Sequence, residues 1–289
     1  MLRVNDIIGD QASGLRSLSR VKPMNIIAVT AGKGGVGKSN VSVNLAVALS
    51  QLNHKVMLLD ADLGLGNIDI MLGLHTKYDL SHVIQGACQL NDVILQGPNG
   101  LKIIPAASGT EFMAQLGSRQ HAGIIDAFNQ LTEDLDYLII DTAAGISDTV
   151  LSFTRSAQEL LVVVCDEPTS LTDAYALIKV MSKRYGWPNF HIVANMVRNE
   201  KDGRDLFNKL FRVSEQFLEV KLDYLGAIPF DEHIHKAVKN QKPVLMAYPD
   251  SNAAASIREI AAGVANWPLK SLLGGNTSFF LERLVMDEV

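Results

Sequence analysis

Lys33, Lys38, Ser39, Asp60, Asp62 and Asp141 are the residues whose types and spacing most plainly suit chemistry on a phosphate chain. Residues 32–39 read Gly-Lys-Gly-Gly-Val-Gly-Lys-Ser, which fits G-x-x-x-x-G-K-[ST] with Gly32, Gly37, Lys38 and Ser39 in the fixed places. In such a loop, backbone N–H groups converge on one phosphate and the following helix adds its dipole. Lys38 is then placed to reach the outer phosphates, and the Ser39 hydroxyl to ligate Mg²⁺. Asp60 closes the apolar run Lys55–Asp60 and Asp62 follows it in LLDADLGLGNID, and Asp141 closes LIID. Carboxylates at such strand ends can hold a metal or order a water.

These groups need a scaffold of alternating strands and helices. Met24–Thr30 is a short β-branched run, as expected of a buried parallel strand, and residues 38–52 carry helical spacing. Further strands are expected at Lys55–Asp60, Leu101–Pro105, Tyr137–Asp141, Leu160–Asp166, His191–Val197 and Tyr224–Ile228. Helices are expected at 38–52, 120–134, 147–157, 170–186, 204–220 and 252–266. The alternation predicts an α/β fold, a mostly parallel doubly wound sheet with helices on both faces. In the helix over 204–220 there are two apolar rows, Leu206/Leu210/Val213/Phe217 and Phe207/Phe211/Leu218; one is expected in the core, and the second is expected there too, with a docking surface for a partner as its alternative.

The chain has 289 residues, a formal net charge of −5 and 47% hydrophobic residues. The acidic balance argues against broad binding to nucleic acid, which needs a basic face. Its two cysteines, Cys88 and Cys165, suggest a reducing compartment, and no C-x-x-C is present for an iron–sulfur carrier. No secretory leader is expected, and no uncharged apolar run approaches the ~18 residues of a membrane span. His233 and His235 in DEHIH are expected to be surface residues rather than a metal pair.

Lys33 directly follows the first glycine, so the loop also fits K-G-G-x-G-K-[ST] and resembles the deviant phosphate-loop ATPases of the MinD/ParA type. The resemblance implies ATP and Mg²⁺ as cofactors and a homodimer that sandwiches two ATP molecules. It makes Lys33 a trans lysine reaching the partner's phosphates and Lys38 the cis lysine. Gly32, Gly34, Gly35, Val36, Gly37, Ser39 and Asn40 would line the nucleotide. Asp62 would orient the attacking water; Asp60 and Asp141, with Ser39, would attend the metal. Asn195 would offer an amide donor and acceptor to adenine, with the backbone of Ile228, Pro229, Phe230 and Asp231 lining the base pocket. Glu167 would touch the ribose of the opposite subunit's nucleotide. Gly145 would let a second switch bend, although Ala143 stands where that family usually has proline.

The ends narrow the resemblance. Asp10, Gln11, Ala12, Leu15 and Arg16 match the D-Q-A-x-x-L-R element of the FlhG/FleN group, MinD-like ATPases that control flagellar number and placement. That implies stimulation of an FlhF-type signal-recognition-particle GTPase, and binding to a flagellar transcriptional activator and a switch-complex protein. Phe279, Phe280, Leu281, Leu284 and Val285 form an apolar stripe that would bind the inner membrane surface. The expected organisation is residues 1–23 as partner-activating segment and linker, 24–270 as ATPase domain, and 271–289 as hinge and amphipathic helix. The expected location is cytoplasmic with reversible membrane association. Alternatives are a cell-division site selector of the MinD type and a ParA-type DNA partition ATPase.

Overall fold

The computed structural model describes residues 24–62, 66–84, 86–106 and 135–268. The helix expected over 120–134, the Asp10–Arg16 element and the Phe279–Val285 stripe lie outside them. Eight strands form one sheet: β1 Asn25–Thr30, β2 Val56–Ala61, β3 Leu95–Gln96, β4 Lys102–Ile104, β5 Tyr137–Thr142, β6 Glu159–Val164, β7 Asn189–Val197 and β8 Lys221–Pro229. Their order is β3-β4-β2-β5-β1-β6-β7-β8. Every pairing is parallel except β3 with β4. All seven expected strands are present; the two-residue antiparallel β3 was not expected, being too short to show a period.

The helices are α1 Lys38–Gln51, α2 Ile68–Met71, α3 Leu80–Ile84, α4 Leu90–Val93, α5 Asp148–Ser156, α6 Pro168–Tyr185, α7 Glu200–Phe217, α8 Glu232–Lys239, α9 Val244–Ala247 and α10 Asn252–Ala265. Successive strand side chains alternate between two cores. In β5, Leu138 and Ile140 join a core with Leu177 and Met181 of α6 and Leu206 of α7. Tyr137 and Ile139 join the opposite core, with Leu45 and Leu49 of α1 and Ile257 of α10. Burial on both faces explains why these strands read as unbroken apolar runs.

Helix α7 departs from expectation in two ways. It begins at Glu200, four residues before the expected start, because the Asn199 side chain accepts from the Asp202 N–H at 2.9 Å. Gly203 sits inside the helix because a Cβ there would lie 2.6 Å from that of Ala227 on β8. The first apolar row is also not all core. Leu206, Leu210 and Ser214 point inward at i, i+4, i+8, whereas Val213 is 43% and Phe217 59% exposed. The inward line continues through a serine, which a search for apolar residues passes over.

Candidate functional site

β1 ends at Thr30 and α1 begins at Lys38, so the glycine-rich loop spans the gap beside the central strands. Strand order reverses around β1, where ligands bind in open α/β sheets. Gly37 adopts φ +82°, and a Cβ on it would lie 2.4 Å from Asn195 Nδ2. Both the backbone angle and the close approach therefore require glycine at that position.

The cations and carboxylates expected here do converge. Lys38 Nζ lies 2.8 Å from Asp141 Oδ1 and 3.3 Å from Ser39 Oγ. The lysine and aspartate side chains are 8% and 1% exposed, so each needs the other's charge. Ser42, one turn beyond Lys38, donates its hydroxyl to Asp141 Oδ1 at 2.6 Å. Its i+4 spacing from Lys38 marks the same helical face, a signal that went unused. Asp141 Oδ2 is buried without a hydrogen-bond partner. An orphaned carboxylate oxygen beside a serine hydroxyl fits the donor set of Mg²⁺, a hard oxygen-preferring cation that keeps several waters.

Asp60 stands directly across from Asp141 in the β2–β5 register. Its Oδ1 accepts from the Asp62 N–H, and Oδ2 accepts from those of Asn67 and Ile68, at 3.0–3.2 Å. It thus holds the end of β2 to the start of α2, in addition to any part beside a metal. Burial, with Asp141's charge, pushes its carboxyl up to about 6. Folded Asp60 keeps a proton between about pH 4 and about pH 6 that the unfolded chain has released. Stability therefore falls as pH rises through that window, by on the order of 3 kcal/mol. In EDTA and without nucleotide, lowering the pH from 7.5 to 4.5 is expected to raise the melting temperature of the wild type by several degrees relative to Asp60→Asn. Parallel pH profiles of the two proteins would rule this out.

Lys33 and Glu167 meet on a single chain. The Lys33 ammonium pairs with Glu167 Oε2, and its Nζ donates to Thr169 Oγ1 at 3.0 Å. The Glu167 hydrogen bond is the main reason the lysine is held above its ordinary value. Glu167 is the residue before α6, and Pro168 opens that helix. Thr169 was not anticipated, since nothing local marks it.

The base-pocket residues also gather. A cavity of about 140 Å³ is lined by Asn40, Asn195, Ile228, Pro229, Phe230 and Asp231 with parts of α8. Two of these side chains also hold the fold together locally. Asn195 Nδ2 donates to the Val36 carbonyl at 2.8 Å, which fixes the orientation of its amide at the edge of this cavity. Asp231 caps α8, accepting from the His233 N–H at 2.9 Å and the Ala253 N–H at 3.2 Å. His233 Nδ1 lies 2.8 Å from the same carboxylate, and His235 packs against Phe230. Asp62 is the residue directly after β2, and Gly145, at φ +102°, donates its N–H to the Ala31 carbonyl at 2.9 Å. Among the described residues no helix is long and apolar enough to cross a membrane.

Strand, glycine loop and helix in this arrangement define a P-loop nucleoside-triphosphatase fold. The family model described as "ParA: NUBPL iron-transfer P-loop NTPase" matches residues 22–265. Antiactivator FleN of Pseudomonas aeruginosa is 53% identical, across 94% of this chain and 97% of that protein. Flagellum site-determining protein YlxH of Helicobacter pylori is 34% identical, across 88% and 90%. The Mg-ADP complex of septum site-determining protein MinD from Pyrococcus horikoshii superposes with a TM-score of 0.67 at 26% identity, across 84% and 96%. The chain belongs to the ParA/MinD family of P-loop NTPases, in its FleN/FlhG group.

Proposed function

We propose that this protein is an ATP-hydrolysing, dimerising switch that controls flagellar number or placement. The observation that carries the reading is the contact of Lys33 with Glu167 and Thr169 beside an intact phosphate loop. In the MinD/ParA type, Lys33 and Glu167 would both serve the opposite subunit's nucleotide. Here they pair with each other within one chain. ATP would draw Lys33 away to a γ-phosphate across a homodimer interface, and so bias the population toward the dimer. Lys38, Ser39, Asp60 and Asp141 would hold the phosphates and Mg²⁺. That ion would neutralise charge developing on the transferred phosphoryl group. Asp62 would orient the attacking water, and hydrolysis would return the monomer.

Kinship with an antiactivator and with a flagellum site-determining protein supports a flagellar role and a transcriptional activator as one partner. The exposed Val213 and Phe217 on α7 offer an apolar surface for such a partner or for a switch-complex protein. The Asp10–Arg16 element would stimulate an FlhF-type GTPase. The Phe279–Val285 stripe would place the ATP dimer on the inner membrane surface, the protein being otherwise cytoplasmic. This reading keeps the organisation into 1–23, 24–270 and 271–289.

Light scattering on a sizing column tests the switch. Asp62→Ala should form a dimer with Mg-ATP that persists over the run, and stay monomeric with Mg-ADP. An Asp62→Ala protein that remains monomeric with saturating ATP would remove the switch from consideration.

A further inference from the structure

Strand β7 is buried from Phe190 to Val197 except at Met196, which is 39% exposed. Met196 also takes φ +57°, a left-handed conformation that non-glycine residues rarely adopt inside a strand. The cause lies in the register. Asn195 pairs with Ile228 and Val197 with Pro229, so Met196 has no counterpart on β8 and forms a bulge.

The bulge changes where side chains go. Up to Asn195, β7 alternates normally: Ile192 and Ala194 enter one core, Val193 the other. Asn195 follows Val193 toward the phosphate-loop side, where it reaches the Val36 carbonyl. Regular pleating would send Met196 to the opposite face. Val197 takes that place instead, in the core with Ala194. Met196 turns toward the phosphate loop: a Cβ built on Gly37 would lie 3.1 Å from Met196 Cε and 2.4 Å from Asn195 Nδ2. Two consecutive side chains thus face the same cavity, one polar and one a thioether. Across that cavity stand Pro229, Phe230 and Val238, the last two 60% and 36% exposed.

We propose that Met196 is a base-binding residue, and that the bulge at β7 exists to lay its thioether on the face of the purine while Asn195 addresses the edge. This rests on the nucleotide-site reading above and adds to it a residue that supplies affinity for the base alone. A sulfur beside an aromatic ring is favourable, and the flexible side chain adapts to a flat ligand. The exposed strain is then a feature of the site, as is usual where a strand carries a left-handed residue.

Calorimetric titration with Mg-ADP and with Mg-pyrophosphate, which has no base, separates the possibilities. Met196→Gly keeps the left-handed backbone without strain and removes the thioether. It should weaken Mg-ADP by about tenfold and leave pyrophosphate within about twofold. Met196→Leu, which restores apolar bulk, should recover most of the loss. An unchanged ADP affinity in Met196→Gly, or equal weakening of both ligands, would overturn the proposal. If the wild type binds neither ligand, the phosphate-loop reading fails and this inference falls with it.

Discussion

Lys38→Ala is expected to lower ATP turnover by at least about a hundredfold and to destabilise the nucleotide-free protein by about 3–5 kcal/mol. The two effects have one origin. Lys38 Nζ lies 2.8 Å from Asp141 Oδ1 with both side chains almost fully buried. Asp60 stands beside Asp141 in the neighbouring strand and is itself held by backbone N–H groups. Taking away the ammonium leaves two carboxylates facing each other in low dielectric with Ser42 as the remaining donor to Asp141 Oδ1. A buried charge stripped of its partner costs more than the pair contributed. Mg²⁺ would offset part of this by taking the lysine's electrostatic place. The check is a urea or thermal unfolding series in EDTA and again in millimolar Mg²⁺, alongside a phosphate-release assay. Expected is a large loss of stability in EDTA, partly recovered in Mg²⁺, with no recovery of turnover. A variant as stable as wild type in EDTA would show that the Lys38–Asp141 pair does not hold this site together.

Lys33→Ala is expected to lower ATP turnover by about a thousandfold, the scale of a cation supplied in trans to a phosphoryl transition state. The side chain lies on the surface, so the fold should be unaffected: its unfolding midpoint should match wild type within error. Binding of Mg-ADP should also be retained, since Lys38 and the loop backbone remain. Glu167→Ala provides the contrast. In the single chain Glu167 engages Lys33, so its removal frees the lysine. If that pairing restrains dimerisation, Glu167→Ala should form the ATP dimer at lower protein concentration than wild type. If Glu167 serves chiefly the partner's ribose, the dimer should weaken instead. Sedimentation over a concentration series with ATP distinguishes the two. Full turnover in Lys33→Ala would remove the trans lysine from the mechanism.

Local sequence determined a large part of this protein. The phosphate loop is readable because its geometry needs glycine at fixed places, and Gly37's φ of +82° is a demand that one residue meets cheaply. The central strands are readable because burial on both faces leaves them uniformly apolar. The carboxylates Asp60 and Asp141 are readable because each ends such a run. Tertiary structure decided the rest. Whether Lys33 faces its own helix α6 depends on how Glu167 and Thr169 are brought to it from more than a hundred residues away. Asn195's amide orientation depends on the Val36 carbonyl, and Ser214's place on the inward line of α7 depends on where that helix crosses the sheet. The bulge at Met196 comes from the pairing of β7 with β8 and has no period of its own to detect. Period, propensity and glycine placement act over a few residues and are written in the chain. Partner choice among buried polar groups is settled when distant segments pack, because only then does each donor and acceptor lose water and need a counterpart.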